Sequence, residues 1–149
     1  MAGPRWGNVK SRDEEWEQAT REGRFADAIE AYVRIYDWVT FPELMRRLGS
    51  ILEYEKLPGV TGTIALEILP NVILWVGMSQ AFSDAVLQLQ REKRIWPWPT
   101  GFLTYLIDGG TLQLPIAKRL PKNGYKQEHW LPVCFRIQTP GIKTRRKSG

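Results

Sequence analysis

The residues of this chain with the widest chemical reach are its single histidine, His129, and its single cysteine, Cys134. A thiol beside an imidazole can act as an activated nucleophile, and the two can contribute to a metal site. Their spacing argues against a pair. "HWLPVCFRI", residues 129 to 137, reads as a late strand, and an odd offset of five puts the two side chains on opposite faces. One His and one Cys also fall short of a zinc set, and no glycine-rich phosphate loop of the GxxxxGK-S/T kind occurs. The carboxylates of "REGRFADAIE" read as a solvated helix face. The chain is therefore expected not to be an enzyme and to use no metal and no cofactor.

Charge points elsewhere. Residues 1 to 60 hold nine Lys or Arg against eleven Asp or Glu, whereas residues 61 to 149 hold twelve against five. A basic C-terminal half fits a polyanion such as nucleic acid, although "KTRRK" at 143 to 147 supplies four of those charges and also reads as a soluble tail. The lone cysteine forbids an intramolecular disulfide, which fits a reducing compartment. "MAGPRWGNVKSRDEEW" has no apolar core of signal-peptide length. The uncharged run 68 to 82 has fifteen residues, short of the roughly twenty that span a bilayer. A cytoplasmic protein with no membrane partner is expected. Seven Trp call for a real core or for aromatic contact sites.

The elements that must position these charges follow from periodicity and punctuation. Residues 1–11 read as a disordered lead and 12–54 as a helical N-terminal segment. Phe25, Ala28, Ile29, Tyr32, Val33 and Tyr36 recur at spacings of three and four. "TFPELMRRLG" carries Thr40 as N-cap, Pro42 in the first turn, Glu43 three after the cap and Gly49 as a stop. "EKLPGVTG", residues 55 to 62, is a boundary. A second unit is expected over 61–137, then a basic disordered tail over 138–149. "IWPWPTG" reads as extended chain with Trp96 and Trp98 on one face, suited to plugging the core or to stacking on bases. A strand at 129 to 137 is apolar on both faces, so it should be sandwiched.

Residues 16 to 35, "WEQATREGRFADAIEAYVRI", resemble part of a tetratricopeptide unit through Ala19, Gly23, Phe25, Ala28 and Tyr32. No second copy follows, so this resemblance implies a single helical hairpin. Residues 63 to 117 resemble the winged helix-turn-helix superfamily. "TIALEIL" and "PNVILWV" stand for its first two helices. Gly77-Met78-Ser79 stands for the turn and Gln80 to about Arg94 for the third helix, with Met78, Phe82, Ala85, Val86 and Leu89 on its buried arc. The two β-prone runs flanking "DGG", 108 to 110, stand for the wing. Departures from the pattern are Ile73, Ser83, Asp84, Leu87 and a wing tip with no Lys or Arg before Lys118. β-branched content alone gives another reading, in which "TIALEI" and "NVILWV" are two buried strands joined at Leu69-Pro70-Asn71.

The resemblance implies an α+β protein: an N-terminal helical hairpin, a winged helix-turn-helix with a β-hairpin wing, and a late extra strand. It also implies a regulator of transcription or replication that binds double-stranded DNA with the third helix in the major groove. Ser79 and Gln80 would meet phosphate at the helix start, and Gln80, Ser83, Gln88 and Arg91 would reach base edges. Lys93, Arg94, Lys118 and Arg119 would contact phosphate. The other reading is a non-enzymatic interaction module whose winged helix is structural and docks on a larger nucleic-acid machine. The N-terminal helices would supply a protein or homodimer contact.

Overall fold

The computed structural model describes residues 12–140. Three helices open the chain: α1 (Glu14–Arg21), α2 (Phe25–Tyr36) and α3 (Phe41–Glu55). The expected helical hairpin is present. Trp16 of α1 meets Tyr32 of α2 edge to face at 5.0 Å, and Ala28, Ile29 and Val33 are buried beside them. The α3 cap also forms as expected, with the Thr40 hydroxyl accepting from the Glu43 amide at 3.2 Å. Gly49 does not stop this helix. Leu44, Leu48 and Leu52 are all buried at four-residue spacing, so the apolar stripe carries the helix past a poor helix former until left-handed Lys56.

The region 61–78 is the main correction. The two helices expected over 63 to 76 are instead the strands β1 (Thr61–Leu69) and β2 (Val72–Met78), paired antiparallel. Dense β-branching favours the pleated form. Pro70 fits the second position of a tight turn as well as the first turn of a helix. Asn71 follows it with φ 62, and its amide donates to the Glu67 carboxylate four residues back. Gly77 has the expected positive φ, 77°, but inside β2 rather than in a turn between helices.

After Ser79 the helix α4 (Gln80–Arg91) forms. Met78, Phe82, Ala85, Val86 and Leu89 are buried, as the spacing predicts. The helix ends near Arg91 rather than Arg94, because Lys93 turns left-handed with φ 58 and the Arg94 amide donates to the Leu89 carbonyl at 2.9 Å.

The expected wing is a second correction. Strand β3 (Trp96–Pro99) leads into helix α5 (Phe102–Asp108), and the "DGG" stretch ends that helix instead of turning a hairpin. Gly109, at φ 109, and Gly110 both donate their amides to the Tyr105 carbonyl, so the same glycines serve as a helix stop. Residues 111–128 form no named strand and touch the sheet through one bridge, Ile116 to Trp130.

The late strand is split in two at Leu131-Pro132. β4 (His129–Trp130) runs parallel to β2, and β5 (Val133–Arg136) runs antiparallel to β3 and bridges Val39. Trp130, Leu131, Val133, Cys134 and Phe135 are all buried, so the segment is sandwiched as its composition requires. The architecture is mixed α+β, with a three-stranded sheet of order β1-β2-β4 and a two-stranded sheet of β3 and β5. One contiguous core runs from Trp16 to Phe135. Phe41 joins its helical and sheet parts, 5.0 Å from Phe135 and 6.3 Å from Trp75.

Thr40 ties α3 to α5, because its hydroxyl also donates to the Asp108 carboxylate at 2.8 Å. Thr40→Ala removes both bonds at a fully buried position. The expected loss is about 1–2 kcal/mol, read as a lower urea midpoint at unchanged m, with Thr40→Ser retaining most of it. Equal midpoints for all three proteins would show that the cap contributes nothing.

Candidate nucleic-acid interface

His129 and Cys134 lie on different strands and do not meet. The His129 ring stacks on Tyr125 at 3.7 Å, and its Nδ1 lies 2.9 Å from the Gln127 carbonyl. Burial pushes the Cys134 thiol up to about 11, so it stays protonated at neutral pH. Among the described residues no three His, Cys, Asp or Glu side chains are grouped to hold a metal ion, and no helix is long and apolar enough to cross a membrane.

The structure leaves Gln80, Arg91 and Lys93 exposed on or just after α4 and buries Ser83. Helix α4 packs against α2 on one side and β1 on the other, which widens its buried arc. Ser83 is consequently only 3% exposed and does not reach the surface. The Ser79 hydroxyl caps the helix by accepting from the Phe82 amide at 3.2 Å. Gln80 donates to Asp84 at 2.8 Å and Gln88 to Glu92 at 3.2 Å, so both amides are turned along the helix. Arg94 is held by Glu30 at 2.7 Å, Glu92 at 2.7 Å and Asp27 at 3.2 Å. Hydrogen bonds from Arg94 hold the Glu92 carboxyl below the usual range, and those from Arg24 and then Arg94 do the same for Asp27. Both stay anionic. Arg91 and Lys93 are exposed, and the Arg91 charge acts on the neighbouring Glu92 carboxylate. On this face the carboxylates of Asp27, Glu30 and Glu92 offset the charge of Arg94.

The other two predicted phosphate contacts lie on a different surface. Lys118 and Arg119 begin an irregular loop that also exposes Lys122 and Lys126. The loop is pinned to the turn between β1 and β2. The Tyr125 amide donates to the Pro70 carbonyl at 3.0 Å, and the Asn71 side chain donates to the Tyr125 carbonyl at 2.9 Å. The Tyr125 hydroxyl closes the loop on itself, donating to the Arg119 carbonyl at 2.6 Å. Gly124 is required here: its φ is 75, and a Cβ would lie 2.1 Å from the Pro70 oxygen. None of these four cations has an ion-pair partner among the described residues. Arg21, Arg24, Arg34, Arg94 and Arg136 each have one, while Arg12, Arg46, Arg47, Lys56, Arg91 and Lys93 make none among the described residues. The charge asymmetry of the sequence locates this surface only to the C-terminal half. Lys122 and Lys126 escape it because "PKNGYKQE" carries no periodic signal.

A third cluster joins Trp98, which the sequence marked as suited to core plugging or base stacking, to Asp37, Trp38 and Arg136, which it did not mark. Arg136 makes a two-pronged contact with Asp37, Nε to Oδ1 at 2.9 Å and a terminal nitrogen to Oδ2 at 2.8 Å. Its guanidinium lies 4.0 Å from the Trp38 ring centre and 4.8 Å from that of Trp98. The two indoles are 5.5 Å apart at 68°, and the Trp98 N–H donates to the Gln138 carbonyl at 2.8 Å. Asp37 and Trp38 both have positive φ, 54° and 51°.

No family model, curated protein or solved structure matches this chain.

The hydrogen bonds from Arg136 hold the Asp37 carboxyl below the usual range. Its contribution to stability is therefore present above the unfolded Asp value of about 3.9 and lost as pH falls through the lower folded value. Asp37→Asn should be less stable at neutral pH, by no more than about 1 kcal/mol because the carboxylate is 40% exposed. That difference should shrink below pH about 4. Urea midpoints at pH 7 and pH 3 check the sign, and a constant difference across that range would remove the linkage.

Proposed function

We propose that this protein binds nucleic acid, taking double-stranded DNA by its phosphates through the loop 118–126. The observation that carries this reading is the set of four exposed, unpaired cations, Lys118, Arg119, Lys122 and Lys126, on a loop fixed to the sheet. Phosphate neutralisation by such groups releases counterions and gives affinity with little sequence preference. Lys143, Arg145, Arg146 and Lys147 lie outside the described residues and add four more cations in sequence. The protein then acts by binding, in keeping with a role in transcription or replication, and base reading by α4 forms no part of its affinity.

A second reading, a module that docks on another protein, draws on α5. Phe102, Leu103, Leu106 and Ile107 are 45, 66, 53 and 81% exposed on one short helix.

Titration against mixed-sequence duplex at two salt concentrations separates the two. The expected result is binding that weakens steeply with salt. Replacing Lys118, Arg119 and Lys122 together by Ala should flatten the slope of log K against log salt by about 2.7, at roughly 0.9 for each phosphate no longer neutralised. Gln80→Ala with Arg91→Ala should change neither affinity nor slope. Affinity no better than millimolar at low salt, or indifferent to salt, overturns the DNA reading and leaves the docking module.

A further inference from the structure

Trp38 is held where a folded chain gains little by putting it. Nearly half of the residue, 48%, faces solvent. Its backbone and that of the preceding residue lie at φ 51 and φ 54, and Asp37 combines its φ with ψ 158, a region that is essentially glycine's. Strain of this kind persists only where the surrounding structure over-determines the pose. Burying a large apolar side chain could offset it, but this indole is not buried. The surroundings hold the strained pose in place: Val39 is bridged to Phe135 by two backbone hydrogen bonds, and Asp37 is clamped by Arg136. Arg136 lies against the Trp38 ring and reaches the Trp98 ring as well. The result is an ordered surface ladder in which the guanidinium packs against both rings and the two indoles meet edge to face.

We propose that Trp38, backed by Arg136 and Trp98, stacks on the unpaired bases of single-stranded nucleic acid. Stacking on an exposed aromatic is tolerant of base identity and needs bases that are not already in a duplex. Charge complements it. Arg136 is part of the ladder, and the chain leaves the described residues at Pro140, two residues after the carbonyl that binds the Trp98 indole. The nine residues beyond contain Lys143, Arg145, Arg146 and Lys147. That tail continues directly from the segment that holds the Trp98 indole and carries charge of the sign a phosphate backbone needs. This inference deepens the nucleic-acid reading. It shares the ligand class with it but rests on different residues.

The test compares a labelled twelve-residue oligothymidine with an abasic twelve-mer of equal charge, by anisotropy at moderate salt. The full chain should bind the thymidine strand at least about 5-fold more tightly, the lower end of one stacked base. Trp38→Leu should abolish that preference and Trp38→Phe should keep most of it. Neither should alter duplex binding, which the loop variant Lys118→Ala/Arg119→Ala/Lys122→Ala weakens instead. Equal affinity for the two strands by the full chain overturns the proposal even if Trp38→Leu fails to fold. So does a Trp38→Leu protein that keeps the preference. Capture of a polyproline peptide, with the two strands bound alike, would assign the ladder to peptide recognition and also overturn it. Absence of duplex binding by the full chain, with the thymidine preference intact, removes the loop reading and leaves this one standing.

Discussion

A buried indole must find an acceptor for its N–H, and Trp130 finds one in the Leu74 carbonyl at 3.2 Å. That bond sets the central strand against the returning chain. Trp130 is fully buried, with Tyr105 at 5.1 Å, Trp75 at 5.9 Å and Phe102 at 6.5 Å. Its backbone pairs with β2 on one side and bridges Ile116 on the other. Through these contacts one residue fixes the sheet, seats α5 and sets the end of the loop that carries the cations. The next residues then change sheets. Leu131 still donates to the Ile73 carbonyl, whereas beyond Pro132 the chain pairs with β3 and Val39. Proline lacks an N–H to continue a ladder, so the break falls where its chemistry allows.

Charge is sorted by this frame. On the helical side cations meet carboxylates: Arg94 reaches across to Glu30 and Asp27, and Arg21 of α1 to Glu55 of α3. These pairs are partly exposed and contribute little each to stability, but they cancel the field of that face. The loop 118–126 has no carboxylate of its own, and Glu128 is the only acid between Gly109 and Phe135. Its cations therefore keep their full field. They are also held by a loop that Gly124 and Tyr125 lock to Pro70 and Asn71. Binding to a fixed constellation loses less conformational entropy than binding to a free tail of equal charge.

How far the sequence could be read depended on how local each feature is. The caps at Thr40 and Ser79, the apolar arcs of α2 and α4 and the two-faced burial of 129–137 are set by near neighbours, and each follows from spacing. The strands β1 and β2 are not of that kind. Pro70 suits a helix start and a tight turn equally, so the helical reading and the reading as two strands joined at Leu69-Pro70-Asn71 both fit the local sequence, and the structure takes the second. "DGG" is similarly ambiguous, since glycine at positive φ ends a helix as readily as it turns a hairpin. The surfaces were harder still. Arg94 looks like a free cation until Glu30, 64 positions away, is placed against it. Ser83 looks exposed until α2 covers the second side of its helix. The Trp38 ladder depends on a bond spanning 99 positions and on two positive φ values that no residue type announces.

The two proposed contact surfaces hang from opposite ends of one short segment. His129 stacks on Tyr125 of the loop, and Arg136 stands in the indole ladder. Seven residue steps separate them, so their Cα atoms can be no more than about 25 Å apart even if the chain were straight. That is less than one turn of B-form DNA, about 34 Å. The bound follows from connectivity alone and holds for any packing of the side chains. It limits the separation of His129 and Arg136 themselves, each of which touches one of the two proposed surfaces. The proposed loop contact asks only for phosphates and the proposed Trp38 contact asks for unpaired bases, so the two proposals draw on different parts of a nucleic acid and stand or fall separately.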